Sequence, residues 1–168
     1  MEKGFDCLRM KTYSGEITKL EANQVFVFGS NRDGFHGAGA AGFASFGEKG
    51  NVWRKYNYAS KPYGWKGKWN IKGAGKGFQE GTEGKSYAIP TVIKAGQKCS
   101  IPLAEIKLSV NCFYEFAVKH PELEFLVAYS KNNNLNGYSA YDMALAFKGD
   151  IPKNVVFERN FADMISVL

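Results

Sequence analysis

The residues most able to do chemistry lie between Gln24 and Ala44, in QVFVFGSNRDGFHGAGAAGFA. Val25–Phe28 is a short apolar, β-prone run that reads as a buried strand. It runs out into Gly29-Ser30-Asn31 and a polar loop, and Gly37-Ala38-Gly39-Ala40-Ala41 then opens a helix expected over about 38–47. A strand, a Gly/Ser/Asn loop and a helix N-terminus in that order can hold an anion. Backbone N–H groups converge on it, glycines allow close approach, and the helix dipole favours negative charge. The loop lacks the Lys-Ser/Thr pair of the phosphate-binding P-loop, and its glycines do not have the dinucleotide-fingerprint spacing. The competing reading is a tight βα turn whose small residues serve close packing.

A second chemical signal is the distribution of charge. Eight Lys/Arg and no Asp/Glu fall between Lys49 and Gln79, whereas the rest of the chain is close to neutral, so the net charge of +6 belongs to one segment. In that segment Trp53, Tyr56, Tyr58, Tyr63, Trp65 and Trp69 alternate with Arg54, Lys55, Lys61, Lys66 and Lys68. Glycines recur and no helical or strand period is sustained. Three uses fit: a stacking surface for nucleic acid over about 49–79, a lid over a bound base or nicotinamide, or a short β-ribbon whose rings pack on the domain while its lysines reach water.

The elements that must position these residues read as one α/β domain spanning 1–168. Leu8–Tyr13 is a candidate edge strand. Ser86–Thr91 is a second buried strand, ended by Pro90, and Glu124–Tyr129 a third. Ser100 with Pro102 starts a helix whose apolar face is Leu103, Ile106, Val110, Phe113 and Ala117; His120 ends it as a dipole-complementing residue. Ser139 caps a helix with Asp142 as capping-box acid, Val155–Phe157 is a last strand, and Asn160 caps a short terminal helix. Alternation of this kind predicts a mixed sheet with helices on both faces and ligands outside the C-terminal strand ends. Residues 25–28, 86–91 and 124–129 each run into a small-residue or polar loop, so neighbouring strands would build one pocket. Three scattered cysteines, two histidines, no long apolar run and no apolar core in MEKGFDCLRMK predict a reduced, cytoplasmic protein with no membrane span, metal or cofactor.

Several ordered stretches together carry a family resemblance: FVFGSN with HGAGAA, GKSYAIPT, IPLAEI, and HPELEFLVAY followed by NLNGY. This pattern resembles the macrodomain-like proteins of bacteria and phages, nearest the branch of terminal ADP-ribose–protein glycohydrolases. The resemblance covers most of residues 15–160, with about 51–73 as an insertion. It implies a three-layer α/β/α macrodomain-like sandwich that binds ADP-ribose or a related NAD-derived nucleotide. By resemblance, Gly29, Ser30, Asn31, Gly37, Ala38, Gly39 and Ala40 would line the ribose and diphosphate, joined by Thr91. Asn132, Asn133, Asn134, Leu135, Asn136, Gly137 and Tyr138 would form a second loop around the ligand.

Two departures bear on hydrolase activity. Asparagines 132–134 stand where the family has glycines, although asparagine tolerates left-handed backbone and donates hydrogen bonds. Asn136 stands where the glycohydrolase branch has an acid, and an amide is no general acid or base. Lys94 is the nearest match to the branch's nucleophilic lysine. With His36 or Asp33 as the polar loop group, it would carry an ADP-ribosyl hydrolase reaction; a loop-fixing His36 is the alternative.

Overall fold

The computed structural model describes residues 10–131 and 134–168. Six strands form a single mixed sheet: β1 (Thr12–Tyr13), β2 (Gln24–Asn31), β3 (Gly77–Glu80), β4 (Lys85–Val92), β5 (Glu124–Val127) and β6 (Val155–Glu158). Their order is β1-β6-β5-β2-β4-β3. All neighbours are parallel except β3, which runs antiparallel to β4. The helices among the described residues are α1 (Gly39–Phe46), α2 (Leu103–Lys119), α3 (Ala140–Phe147) and α4 (Arg159–Ser166).

The continuous VFVF run follows from β2 being central and covered on both faces. Val25 and Val27 join a core with Ile106, Val110, Phe113, Phe147, Phe161 and Ile165 from α2, α3 and α4. Phe26 and Phe28 point the other way, onto Ala41 and Ala44 of α1 and onto Trp69. Helices therefore pack on both faces, and among the described residues α1 is the one on the side of the aromatic segment.

Several boundaries differ from the sequence expectation. β4 continues through Pro90 to Val92. β3 pairs with β4 only as far as Ala88, so Pro90 sits where β4 is an edge on that side, a place where a missing N–H is tolerated. β3 itself has no counterpart in the expected elements; its four residues, GFQE, carry little strand signal. α2 starts at Leu103 behind an extended Pro102, and the Ser100 hydroxyl instead accepts the Ile93 N–H at 2.8 Å. At α4 the capping oxygen comes from Glu158, which accepts the Phe161 N–H at 3.0 Å, while Asn160 donates to that same carboxylate. Of the expected edge strand only Thr12–Tyr13 pairs, and residues 8 and 9 lie outside the described residues. The Ser139–Asp142 capping box forms as expected.

The aromatic segment is no β-ribbon. Between Asn51 and Gly73 it is built of turns, the 3-10 turn Tyr58–Ser60 and single bridges at Ala38/Asn51 and Lys66/Ile71. It nevertheless packs as the structural reading expects. Tyr58 and Trp69 are fully buried, and Phe46 of α1 stacks on Tyr56 at 4.4 Å and meets Trp65 at 5.4 Å. The segment also holds the C-terminal end of α1. Trp69 N–H donates to Ala44 O at 2.7 Å, Lys68 N–H to Ser45 O at 2.8 Å, and the Asn70 amide to Ala41 O at 3.1 Å. Lys68 and Trp69 thus take carbonyls that a helix end otherwise leaves to water, and Asn70 adds a bond to Ala41 O further up the helix. They fix the helix whose other end faces the candidate site.

Candidate ligand-binding site

A cleft of about 1010 Å³ opens over the C-terminal ends of β2, β4 and β5. Its walls include Gly29–Asn31, Thr91–Val92 and the Val127–Ser130 stretch, so the three polar strand exits do converge. Gly37, Ala38, Gly39 and Ala40 form the side at the start of α1, and Asn134, Leu135 and Asn136 form part of the opposite side. The two loops approach closely: a Cβ on Gly39 would lie 2.7 Å from Leu135 Cδ1, and Gly39 itself has φ +59°. The left-handed backbone favours a residue without a side chain there, and Leu135 would have to swing aside for any Cβ.

The N-terminus of α1 is not closed by a side chain. Its N-cap residue, Ala38, is extended (φ −153°, ψ 163°) and offers no capping oxygen, and the first turn carries no acid. The Gly39 N–H donates to Gly50 O at 3.1 Å and the Gly42 N–H to Ala38 O at 2.9 Å. Among the described residues the Ala40 and Ala41 amides meet no acceptor. Open N–H groups at the positive end of a helix, on the wall of a cleft, are suited to an anion.

Charge at the cleft agrees with that. Lys49, Lys98 and Glu16 line it. Lys49 and Glu16 pair with each other, which leaves Lys98, exposed and without an ion pair among the described residues. The rest of the wall is largely apolar and includes Phe43, Trp53 and Tyr129, the aromatic lining that the sequence did not locate. Trp53 belongs to the segment the sequence offered as a lid, whereas the contribution of Phe43 and Tyr129 depends on which side of α1 and of the sheet faces the cleft.

Within the Gly loop, side chains brace the backbone. Asn31 both accepts the Phe35 N–H and donates to the Phe35 carbonyl, each at 2.9 Å. The Ser30 hydroxyl donates to Gly75 O, and Thr91 Oγ1 donates to Ser30 O at 3.4 Å. Ser30 and Asn31 therefore line the cleft with side chains already committed to the protein. The second loop is tied the same way: Asn136 Oδ1 accepts the Tyr138 N–H at 2.8 Å, and the Asn134 amide donates to Tyr138 O at 3.0 Å. Asn132 and Asn133 lie outside the described residues.

Five of the expected site residues are not on the cleft wall; one of them, Asp33, is exposed outside the lining. Gly137 (φ +87°) backs onto Lys98 and Cys99, and Tyr138 donates its hydroxyl to Ile101 O at 2.7 Å while packing on the core. The loop turns away from the cleft after Asn136. Lys94 is exposed and lies outside the lining, although Ala95 and Gly96 beside it belong to the wall. His36 is wholly buried under the loop. Its Nε2–H donates to Ala74 O at 2.9 Å, its ring meets the Phe28 ring edge-on at 5.2 Å, and Nδ1 is buried without a partner. Burial lowers its pKa from 6.5 to about 4, so the imidazole is neutral at neutral pH. His36 fixes the loop against residues 71–75 and does not reach a ligand in the cleft.

No family model, curated protein or solved structure matches this chain. Among the described residues there is no cluster of side chains that could hold a metal ion, and no helix is long and apolar enough to cross a membrane.

Proposed function

We propose that this chain is a macrodomain-like protein, a three-layer α/β/α sandwich nearest the terminal ADP-ribose–protein glycohydrolase branch. It holds ADP-ribose or a related NAD-derived nucleotide in the cleft and does not turn it over. The observation that carries this reading is the uncapped start of α1, with the open Ala40 and Ala41 amides, on the wall of a cleft bounded by three strand ends. A diphosphate fits the amides and Lys98, and the apolar and aromatic walls fit a base and sugars. Binding without turnover is favoured because His36 is buried, Lys94 is off the cleft wall and the Asn136 amide is engaged within its own loop. The nucleic-acid alternative over 49–79 draws less support. Stacking needs open rings; Tyr58 and Trp69 are buried in the packing around α1, and of the six rings Tyr63 alone is largely exposed.

Ala38→Asp tests the reading. An N-cap carboxylate would accept the open amides and stabilise the fold by about 1 kcal/mol, while occupying the place of the ligand's phosphate. The expected result is a higher melting temperature than wild type together with loss of the thermal shift that ADP-ribose gives the wild-type protein. A variant that is stabilised yet still shifted by ADP-ribose would overturn the assignment of the anion to α1.

A further inference from the structure

The aromatic segment touches the cleft at one place. Of its rings, Trp53 alone lines the wall among the described residues; the others pack around α1 or face solvent. The chain around Trp53 is joined to the Gly loop by main-chain bonds. Val52 N–H and Trp53 N–H both donate to Gly37 O, at 2.9 and 3.0 Å, Gly39 N–H donates to Gly50 O, and Ala38 bridges Asn51. A Cβ on Gly37 would lie 2.5 Å from Trp53 Cβ, so the glycine is what allows the two strands of chain to meet. The indole is held as well: Phe35 meets it edge-on at 6.2 Å, and the Arg54 guanidinium lies over the ring at 4.8 Å from its centre. Arg54 is exposed and makes no ion pair among the described residues.

We infer that Trp53 is a specificity-determining residue of the cleft, stacking on the planar ring of a nucleotide ligand whose phosphates lie at the start of α1. This rests on the nucleotide reading of the cleft and adds the residue that distinguishes a ring-bearing ligand from a bare sugar phosphate. A ring that is half-buried, in contact with Phe35 and anchored through its own backbone loses little freedom when a ligand ring stacks on it. The Arg54 guanidinium over the indole helps hold the ring in place by cation–π attraction.

Titration calorimetry with ADP-ribose on wild type, Trp53→Phe, Trp53→Leu and Trp53→Ala tests this. All three substitutions keep the Cβ that abuts Gly37, and circular dichroism with thermal melting verifies that each is folded. Stacking predicts that Phe retains most of the affinity, whereas Leu and Ala each lose roughly tenfold or more. Equal affinity in all four proteins would overturn the role of Trp53 while leaving the nucleotide cleft standing. Leu binding as well as Phe would also overturn it, reducing Trp53 to an apolar wall. Failure of the wild type itself to bind would overturn the cleft reading and this inference together.

Discussion

Acidification from pH 6.5 to about 4 is expected to remove about 3 kcal/mol of stability through His36 alone. The imidazole titrates at 6.5 in the unfolded chain and at about 4 in the fold, where burial disfavours the charged ring. The folded pKa lies below the unfolded one, so within that window the unfolded state binds the extra proton and stability falls with falling pH. The contribution is complete above 6.5 and lost as pH drops through about 4. The size follows from ~1.4 kcal/mol per pKa unit. The carboxylate of Glu124, whose pKa is lowered by its hydrogen bond from Gln24 and by Lys11, adds a loss at more acidic pH, below the ordinary carboxylate value of 4.5. Urea unfolding at about pH 7 and about pH 5, on wild type and His36→Gln, separates the two. The Gln amide can replace the Nε2–H bond to Ala74 O and does not titrate. It should flatten the slope between those pH values, and an unchanged slope in the variant would rule His36 out as its source.

Lys72→Met should cost about 2 kcal/mol, as expected when a charged donor is removed from one buried and two partly buried carbonyls. The Lys72 ammonium donates to Tyr58 O at 2.8 Å, to Ala59 O at 3.1 Å and to Lys61 O, and lies 5.0 Å from the centre of the Tyr58 ring. Tyr58 and Ala59 belong to the 3-10 turn Tyr58–Ser60 and Lys61 follows it; Tyr58 O also accepts the Lys61 N–H at 3.1 Å, and the C-terminal end of the turn favours a cation. Met preserves the length and apolar stem and removes every donor. Hydrogen exchange should show faster opening of residues 57–73 alongside the fall in denaturation midpoint. A Met variant as stable as wild type would mean that these carbonyls are satisfied without the ammonium.

The parts of the fold that were legible in sequence are those whose signal is local. The VFVF run, the apolar spacing of α2 and the Ser139–Asp142 box each determine their own element, and Gly47 ends α1 with φ +72° at its C-cap. Elements that exist because of a neighbour were not legible. β3 is a strand because β4 offers an open edge, and Glu158 displaces Asn160 as cap because β6 delivers its carboxylate to the first turn of α4. The same division holds in the cleft. Gly29, Gly37 and Gly39 line the cleft, but residue type alone did not distinguish side chains that face it from those that brace the loop. His36, Ser30 and Asn31 are polar residues in a polar stretch, and each turns inward to hold backbone at residues 35, 74 and 75. Trp53 was visible as one aromatic among six, and only the bonds of residues 50–53 to the Gly loop separate it from the rings that pack on α1.

Isothermal titration of the wild-type protein with ADP-ribose, with AMP and NAD as comparison ligands, tests the central claim most directly. A cleft that engages diphosphate and distal ribose together predicts micromolar-class binding of ADP-ribose, clearly tighter than AMP. No heat with any of the three, from protein that melts cooperatively, would contradict the nucleotide-binding assignment.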